Sequence, residues 1–232
     1  MLLPIAGDGI RFVKEGYEIP KPLIKIEDDF LVQKSLRSID LEDCNLIFVV
    51  KKDHIENNQI DTKLIELYGN QIKIIATDTK TGGALSSCLL ANNEINNDIP
   101  LLIFTPDCYF EPKIIPSNID STLDGLVCVF ESSSDAHSYV KLNENNHVTQ
   151  TAEKEVISND AIGGFYYFKS GKLFVDYANK LIDRKLTTKG EYYIAPVYNL
   201  LINDEYKIGI DRNTKHIILG TPADLERYLS ES

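Results

Sequence analysis

Leu2-Leu3-Pro4-Ile5-Ala6-Gly7-Asp8-Gly9-Ile10-Arg11-Phe12, followed by Pro20-Lys21-Pro22-Leu23-Ile24, is the stretch from which the fold is read. An apolar run ending in two closely spaced glycines predicts a buried strand. The strand feeds a loop whose backbone N–H groups can approach a polyphosphate. Arg11, Lys14 and Lys21 add fixed cations within reach of that loop, Arg as a bidentate phosphate ligand and Lys as a compact charge. The prolines flanking Lys21 restrict the backbone there and help to aim it. Two other phosphate-binding patterns do not fit. Phe12 stands at the third glycine position of the dinucleotide fingerprint, and no Gly-Lys-Ser/Thr follows.

Outward from this opening, short apolar runs bounded by turn or polar residues recur at Asn45 to Val50, Ile72 to Ala76, Pro100 to Phe104, Leu126 to Phe130 and Ala161 to Phe168. These predict strands, most of them buried on both faces. Amphipathic stretches between them predict helices over Phe30 to Ser38, Gln59 to Tyr68, Gly83 to Ile95, Gly171 to Arg184 and Tyr193 to Ile202. The alternation implies an α/β fold, a mixed but mainly parallel sheet flanked by helices, with ligands beyond the carboxyl ends of the strands. From about Tyr139 to Val156 the pattern changes to a hairpin with Glu144, Asn145 and Asn146 at its turn. This predicts a small β subregion, suited to holding a second substrate.

At 232 residues, with 43% hydrophobic and 25% charged residues, the chain can bury one full core. The opening residues leave no room for a secretory signal, and no apolar run approaches the roughly 20 residues of a membrane helix. A cytoplasmic protein with no membrane partner is expected. Cys44, Cys88, Cys108 and Cys128 are widely spaced and read as reduced structural thiols. A net charge of −11 argues against a nucleic-acid partner, whose phosphates would need a broad basic surface. His54, His137, His147 and His216 form no metal-ligand spacing, and no nucleophile elbow is present.

Taken together, Ala6-Gly7-x-Gly9-x-Arg11-Phe12 and Pro20-Lys21-Pro22-Leu23-Ile24 resemble the signature of the sugar-phosphate nucleotidyltransferase superfamily. The resemblance implies a single GT-A-like, Rossmann-like domain spanning 1–232, with about 1–138 as the nucleotide-binding half and about 139–232 as the acceptor-binding half. It implies that Ala6, Gly7, Gly9 and Arg11 hold an NTP while Lys21 balances charge at the attacked α-phosphate. Thr81-Gly82-Gly83-Ala84-Leu85 resembles the segment that closes over base and ribose, through Gly82, Gly83 and Ala84. Asp107, at the carboxyl end of the Pro100 to Phe104 strand, matches the family's metal-binding Asp, and its hard oxygens suit Mg²⁺. Arg11, Lys21 and Asp107 are thus the expected catalytic set.

For the second substrate, Glu153-Lys154 resembles the family's acceptor-binding pair, and Ala161 to Phe168 the strand carrying the acceptor pocket, with Gly164 at the pocket. Lys189-Gly190-Glu191-Tyr192 resembles a late acceptor element, which makes Glu191 and Tyr192 acceptor contacts. Leu219-Gly220-Thr221-Pro222-Ala223-Asp224-Leu225 resembles the family's ending, with one departure. Many members have an Asp where this chain has Ile218, so a second metal ligand would have to come from Asp211 or another group, or be absent.

The expected activity is transfer of an NMP group, CMP favoured, from an NTP to a phosphorylated small molecule with release of pyrophosphate. The compact form resembles cytidylyltransferases of capsule and surface-polysaccharide synthesis, including a CTP:phosphoglutamine type. Sugar-1-phosphate uridylyl or thymidylyl transfer stays open, as does the oligomeric state, a homodimer included. A GT-A glycosyltransferase is a rival reading, but Asp107-Cys108-Tyr109 lacks the second Asp of a DxD motif. A non-catalytic nucleotide-binding homologue is the other.

Overall fold

The computed structural model of the protein describes residues 1–78 and 80–231. The first half contains β1 (Leu2–Pro4), α1 (Ile10–Lys14), β2 (Lys25–Ile26), β3 (Asp29–Phe30), α2 (Leu31–Leu36), β4 (Ile47–Lys51), α3 (Lys52–Asn58), α4 (Ile60–Tyr68), β5 (Lys73–Thr77), α5 (Ala84–Leu89), α6 (Asn92–Ile95) and β6 (Leu101–Phe104). The remainder contains β7 (Cys108–Glu111), β8 (Gly125–Glu131), β9 (Ser138–Leu142), β10 (Val148–Glu153), β11 (Asp160–Phe168), α7 (Gly171–Asp183), α8 (Ala195–Asn203), β12 (Ile208–Arg212), β13 (Lys215–Ile218) and α9 (Pro222–Glu231).

The central strands are apolar without interruption because both of their faces are covered. Leu2, Val49 and Ile103 point into one core, shared with Phe174 and Ala178 of α7 and with Val197 and Leu201 of α8. Their neighbours Leu3, Phe48, Val50 and Phe104 point into a second core, with Val32 and Leu36 of α2 and Leu64 of α4. That is the period-2 alternation of a strand, with helices on each side. Each fully buried Val, Leu, Ile or Phe side chain contributes roughly 1.5–3 kcal/mol, so these two layers dominate the stability.

The predicted α/β class is the class observed. Strands β5, β4, β1 and β6 run parallel in that order, with Leu2 opposite both Ile47 and Ile103. Strand β11 then adds antiparallel to β6, pairing Phe165 to Phe168 with Phe104 to Leu101. Its register against β8 shifts between Ile162 and Tyr166, and beyond the shift Ala161 pairs with Tyr139 of β9. At Gly163 and Gly164 the sheet therefore forks, and the β9–β10 hairpin leaves the parallel layer as its own antiparallel layer. The hairpin turn falls where Glu144, Asn145 and Asn146 predicted it, with Asn146 in the left-handed region at φ 59°.

Four differences from the sequence reading have physical causes. The helix expected over Gly83 to Ile95 divides into α5 and α6, because the N–H groups of Leu90 and Ala91 bond three residues back, tightening the turn. Strand β12 (Ile-Gly-Ile-Asp-Arg) lacks an apolar run, yet it pairs in parallel with β8 over Ile208 to Arg212. Strands β7 and β13 form a separate antiparallel ribbon, with Ile218 opposite Cys108. Their pairing is set by tertiary proximity across a long sequence separation, which no local pattern encodes. The helix read from Tyr193 starts instead at Ala195, with Pro196 in its first turn. Among the described residues, no helix is long and apolar enough to cross a membrane.

Candidate active site

Two clefts meet beyond the carboxyl ends of β1 and β6. The first, of about 430 Å³, is walled by Ala6, Gly7, Asp8, Gly9, Arg11 and Lys21 on one side and by Lys80, Thr81, Gly83 and Ala84 on the other. The second, of about 570 Å³, is walled by β8, β11, β13 and the loop before β9. Arg11, Ala84, Thr105, Asp107 and Gly220 line both.

Gly9 starts α1 in the left-handed conformation, φ 59° and ψ 32°, and its carbonyl accepts from the N–H groups of Phe12 and Val13. A Cβ at Gly9 would lie in ordinary contact, 3.4 Å, with the Cβ of Lys21, so the two signature segments adjoin, and it is the left-handed φ that favours glycine here. Pro20 and Pro22 are buried around a short 3-10 turn over Lys21–Leu23. From that turn the Lys21 Nζ reaches Asp107 Oδ2 at 3.4 Å, and it also lies 5.9 Å from the Phe12 ring centroid. Arg11 is exposed and has no ion pair among the described residues, which leaves its fork available to an anion. Asp8 sits between the two glycines and is turned onto Lys51 at 2.6 Å, with Lys80 at 4.0 Å. The hydrogen bond from Lys51 holds the Asp8 carboxyl below its ordinary range.

Opposite this loop, Gly83 has φ 121°, and a Cβ there would come within 2.4 Å of the Tyr192 carbonyl oxygen. The Tyr192 N–H donates to Gly82 O at 2.7 Å, and the Leu85 N–H donates to Tyr192 O at 3.1 Å. The Gly82–Gly83 segment is thus laced to Tyr192 through the main chain and cannot accept a side chain at Gly83.

Asp107 follows β6 after Thr105 and Pro106. Its N–H donates to Thr105 O, and its carbonyl accepts from Leu219 N at 2.8 Å. The carboxylate is half exposed and projects into the space shared by the clefts. A Cβ built on Gly220 would lie 3.8 Å from Asp107 Oδ2 and 3.9 Å from Asp224 Oδ2. Asp224 is otherwise engaged: its carboxylate takes the Thr221 hydroxyl at 2.6 Å and the Arg227 guanidinium at 2.9 Å. Asp211 lies on β12 opposite Cys128 and lines neither cleft. Ile218 lines the second cleft and packs with Phe130, Tyr139 and Ala161. Among the described residues, no group of three or more His, Cys, Asp or Glu side chains is arranged to hold a metal. A single exposed carboxylate still fits Mg²⁺, which keeps several waters and draws further oxygens from substrate phosphates.

The residues read as acceptor contacts are distributed unevenly. Glu153 and Gly164 line the second cleft, whereas Glu191 lines the first, and Lys154 and Tyr192 line neither. Glu153 accepts a short hydrogen bond from Ser138 Oγ, and burial pushes its carboxyl above the ordinary value. The Lys154 ammonium donates to Tyr193 OH, which in turn donates to Glu191 Oε2 at 2.6 Å. Gly164 O accepts from Thr105 N at 3.0 Å, tying the fork of the sheet to the loop before Asp107. Sequence reasoning missed Ser132, Ser134, His137, His216, Tyr193 and Arg227 of the second cleft. They come from four separate segments with no shared spacing. The cysteines are free thiols, buried except for the half-buried Cys44, and burial raises all four above the ordinary range.

A glycine-lined cleft thus opens through shared Arg11 and Asp107 into a second cleft lined by side chains. No protein-family profile matches the chain, and no curated protein is similar to it. Solved structures do match over its whole length. The nucleoside-diphosphate-sugar pyrophosphorylase from Vibrio cholerae RC9 superposes with a TM-score of 0.87 at 25% identity, covering 99% of each chain. The CTP:phosphocholine cytidylyltransferase from Streptococcus pneumoniae matches with a TM-score of 0.74 at 15% identity, over 99% of this chain and 96% of that one. The inositol-1-phosphate CTP transferase from T. maritima gives 0.72 at 15% identity, over 100% and 95%. These neighbours are nucleotidyltransferases, and the chain has their fold, a mainly parallel sheet flanked by helices.

Proposed function

We propose that the protein is a nucleotidyltransferase that moves an NMP group, CMP favoured, from an NTP to a phosphorylated small molecule and releases pyrophosphate. The observation that carries this reading is the meeting of Arg11, Lys21 and Asp107 where the two clefts join. A nucleotide entering the first cleft would lay its phosphates along Gly7 and Gly9 toward that junction. A phosphorylated acceptor in the second cleft would bring its phosphate to the same point. The base would rest against Gly82, Gly83 and Ala84, where main chain is exposed without side-chain obstruction.

An acceptor phosphate oxygen forms a bond to the α-phosphorus as the bond from that phosphorus to the pyrophosphate oxygen breaks. No protein nucleophile is required, because a phosphate monoester is already ionised at neutral pH. Lys21 and Arg11 stabilise the negative charge that builds on the transferring group, and the clefts hold the reactants in line. Asp107 would hold Mg²⁺, whose chemistry is to neutralise phosphate charge and polarise the attacked phosphorus. Two of the structural neighbours named above are CTP-using enzymes, and the preference for CTP as donor rests on the motif resemblance. The capsule and surface-polysaccharide role rests on the motif resemblance alone.

A screen of the four common NTPs and dTTP against phosphorylated metabolites, reading pyrophosphate with Mg²⁺ present, tests the reading. Acceptor-dependent release supports it, and no release from any pair overturns it. Ile218, an apolar wall beside Asp107, is the observation that favours a non-catalytic homologue instead. That reading requires thermal stabilisation by an NTP without turnover.

A further inference from the structure

The second cleft contains a histidine that the transfer chemistry above does not use. His216 lies on β13 with its ring stacked on Phe130 at 3.8 Å between centroids and 7° between planes. Phe110 is stacked on it at 6.0 Å and 5°. Its Cε1 and Nδ1 edge faces Gly163, where a Cβ would come within 2.7 Å of Cε1. A glycine at the fork of the sheet is therefore what makes room for the imidazole. Nδ1 lies 3.3 Å from Asn213 Oδ1, which also accepts from the Cys128 thiol at 3.1 Å. Asn213 is itself buried and is fixed by its main-chain N–H, which donates to Val129 O at 2.8 Å.

An amide oxygen facing Nδ1 requires the proton on that nitrogen, which leaves Nε2 as an acceptor. Nε2 has no hydrogen-bond partner in the protein among the described residues, and the ring lines the second cleft. Around it the cleft offers groups of both kinds. The Ser132 and Ser134 hydroxyls accept from backbone N–H groups, which frees their protons to donate, and Glu153 supplies a carboxylate. Burial lowers the imidazole's proton affinity, so the ring is neutral at physiological pH.

Building on the proposed transfer to a phosphorylated acceptor, we infer that His216, held in the Nδ1–H tautomer by Asn213, is a specificity-determining residue. Its Nε2 accepts a hydrogen bond from an O–H or N–H donor on the body of the acceptor. An acceptor whose distal group has no such proton leaves Nε2 unpaired in a partly buried cleft, and the site discriminates against it.

The test combines ¹⁵N NMR of the histidine ring with two probes in the presence of CTP and Mg²⁺. The free protein is expected to show a protonated Nδ1 and an unprotonated Nε2. α-D-Glucose 1-phosphate, rich in hydroxyl donors, is expected to shift the Nε2 resonance, and choline phosphate, whose quaternary nitrogen has no N–H, to leave it in place. His216→Phe keeps the stack but removes the acceptor and should weaken glucose 1-phosphate binding by about tenfold, with His216→Gln restoring part of it. CTP binding should be unchanged in both variants. A protonated Nε2, equal shifts from both probes, no shift from either, or no loss in His216→Phe would overturn the assignment. None of these readouts needs pyrophosphate release, so a failure of the transferase reading shows up separately.

Discussion

The two clefts are built by opposite means. The first is made mostly of main chain and cations on short stretches, Ala6 to Phe12, Lys21 and Pro22, Lys80 and Thr81, and Gly83 and Ala84. The second is made of side chains that come from widely separated segments: Phe130 and Ser134, Ser138, Glu153, Gly163, Tyr193, His216 and Arg227. Under the proposed function the first cleft cradles phosphates, a chemistry common to every nucleotide, for which backbone N–H groups at fixed spacing suffice. The second cleft, proposed to tell one acceptor from another, draws on side chains, and the forked sheet at Gly163 and Gly164 supplies the place for them.

The largest effect should come where the clefts meet. Lys21→Ala removes a preorganised cation from the developing charge and should lower turnover by about 10²–10³-fold in a pyrophosphate assay, while NTP binding changes much less. Asp107→Asn should give a comparable loss and flatten the dependence of rate on Mg²⁺ concentration. If both variants kept near-normal turnover, the junction would not be the reacting centre.

Next, Gly83→Ala tests whether the first cleft depends on main chain alone. The added Cβ would collide with the Tyr192 carbonyl at 2.4 Å in a backbone region that alanine rarely adopts. A cost of about 1–3 kcal/mol is expected, a fall in Tm of roughly 3–10 °C, together with lost stabilisation by NTP. A variant with unchanged Tm would show that the Gly82–Gly83 segment yields easily.

In the second cleft the comparison is sharpened by pH. The His216 imidazole is lowered from its ordinary 6.5 to about 4 by burial. In that window the unfolded chain binds a proton that the folded chain refuses. This contribution to stability is complete above about pH 6.5 and is lost as pH falls toward 4. Chemical denaturation of wild type against His216→Phe should show a difference of about 2 kcal/mol across that window, with the variant flatter. Identical pH profiles would place the ring in a more solvated setting.

The smallest effect concerns Ile218, which faces the second cleft beside Asp107. Ile218→Asp should cost about 1–2 kcal/mol through lost packing on Phe130 and Tyr139 and raise the apparent affinity for Mg²⁺. An unchanged Mg²⁺ titration would show that position 218 does not reach the junction.

The same contrast explains what could be read from sequence. Strands β1, β4 and β6 were legible because burial on both faces forces unbroken apolar runs, and the edge strand β5 because of the Ile-Ile-Ala run at its centre. That Gly7, Gly9, Arg11 and Lys21 share one cleft was legible because the glycines and cations stand close together along the chain. The α5–α6 break was not, since it arises from a tightened turn around the fully buried Ala91. Nor was the β7–β13 ribbon, which joins residues about a hundred positions apart. His216 showed no pattern because its setting is made by Gly163, Asn213, Phe110 and Phe130, four residues from separate strands or their ends. Tyr192, read with Glu191 as an acceptor contact from the resemblance of Lys189 to Tyr192 to a late acceptor element, lines neither cleft and holds the Gly82–Gly83 loop through its backbone, a role that residue identity does not reveal.

Pyrophosphate release from CTP and the other NTPs, with Mg²⁺ and a panel of phosphorylated acceptors, is the most direct test of nucleotidyl transfer at the Arg11, Lys21 and Asp107 junction. The expected result is release that needs both NTP and phosphorylated acceptor in the wild type and drops by at least 10²-fold in Lys21→Ala. Release that ignores the acceptor, or that survives the loss of Lys21, would contradict it.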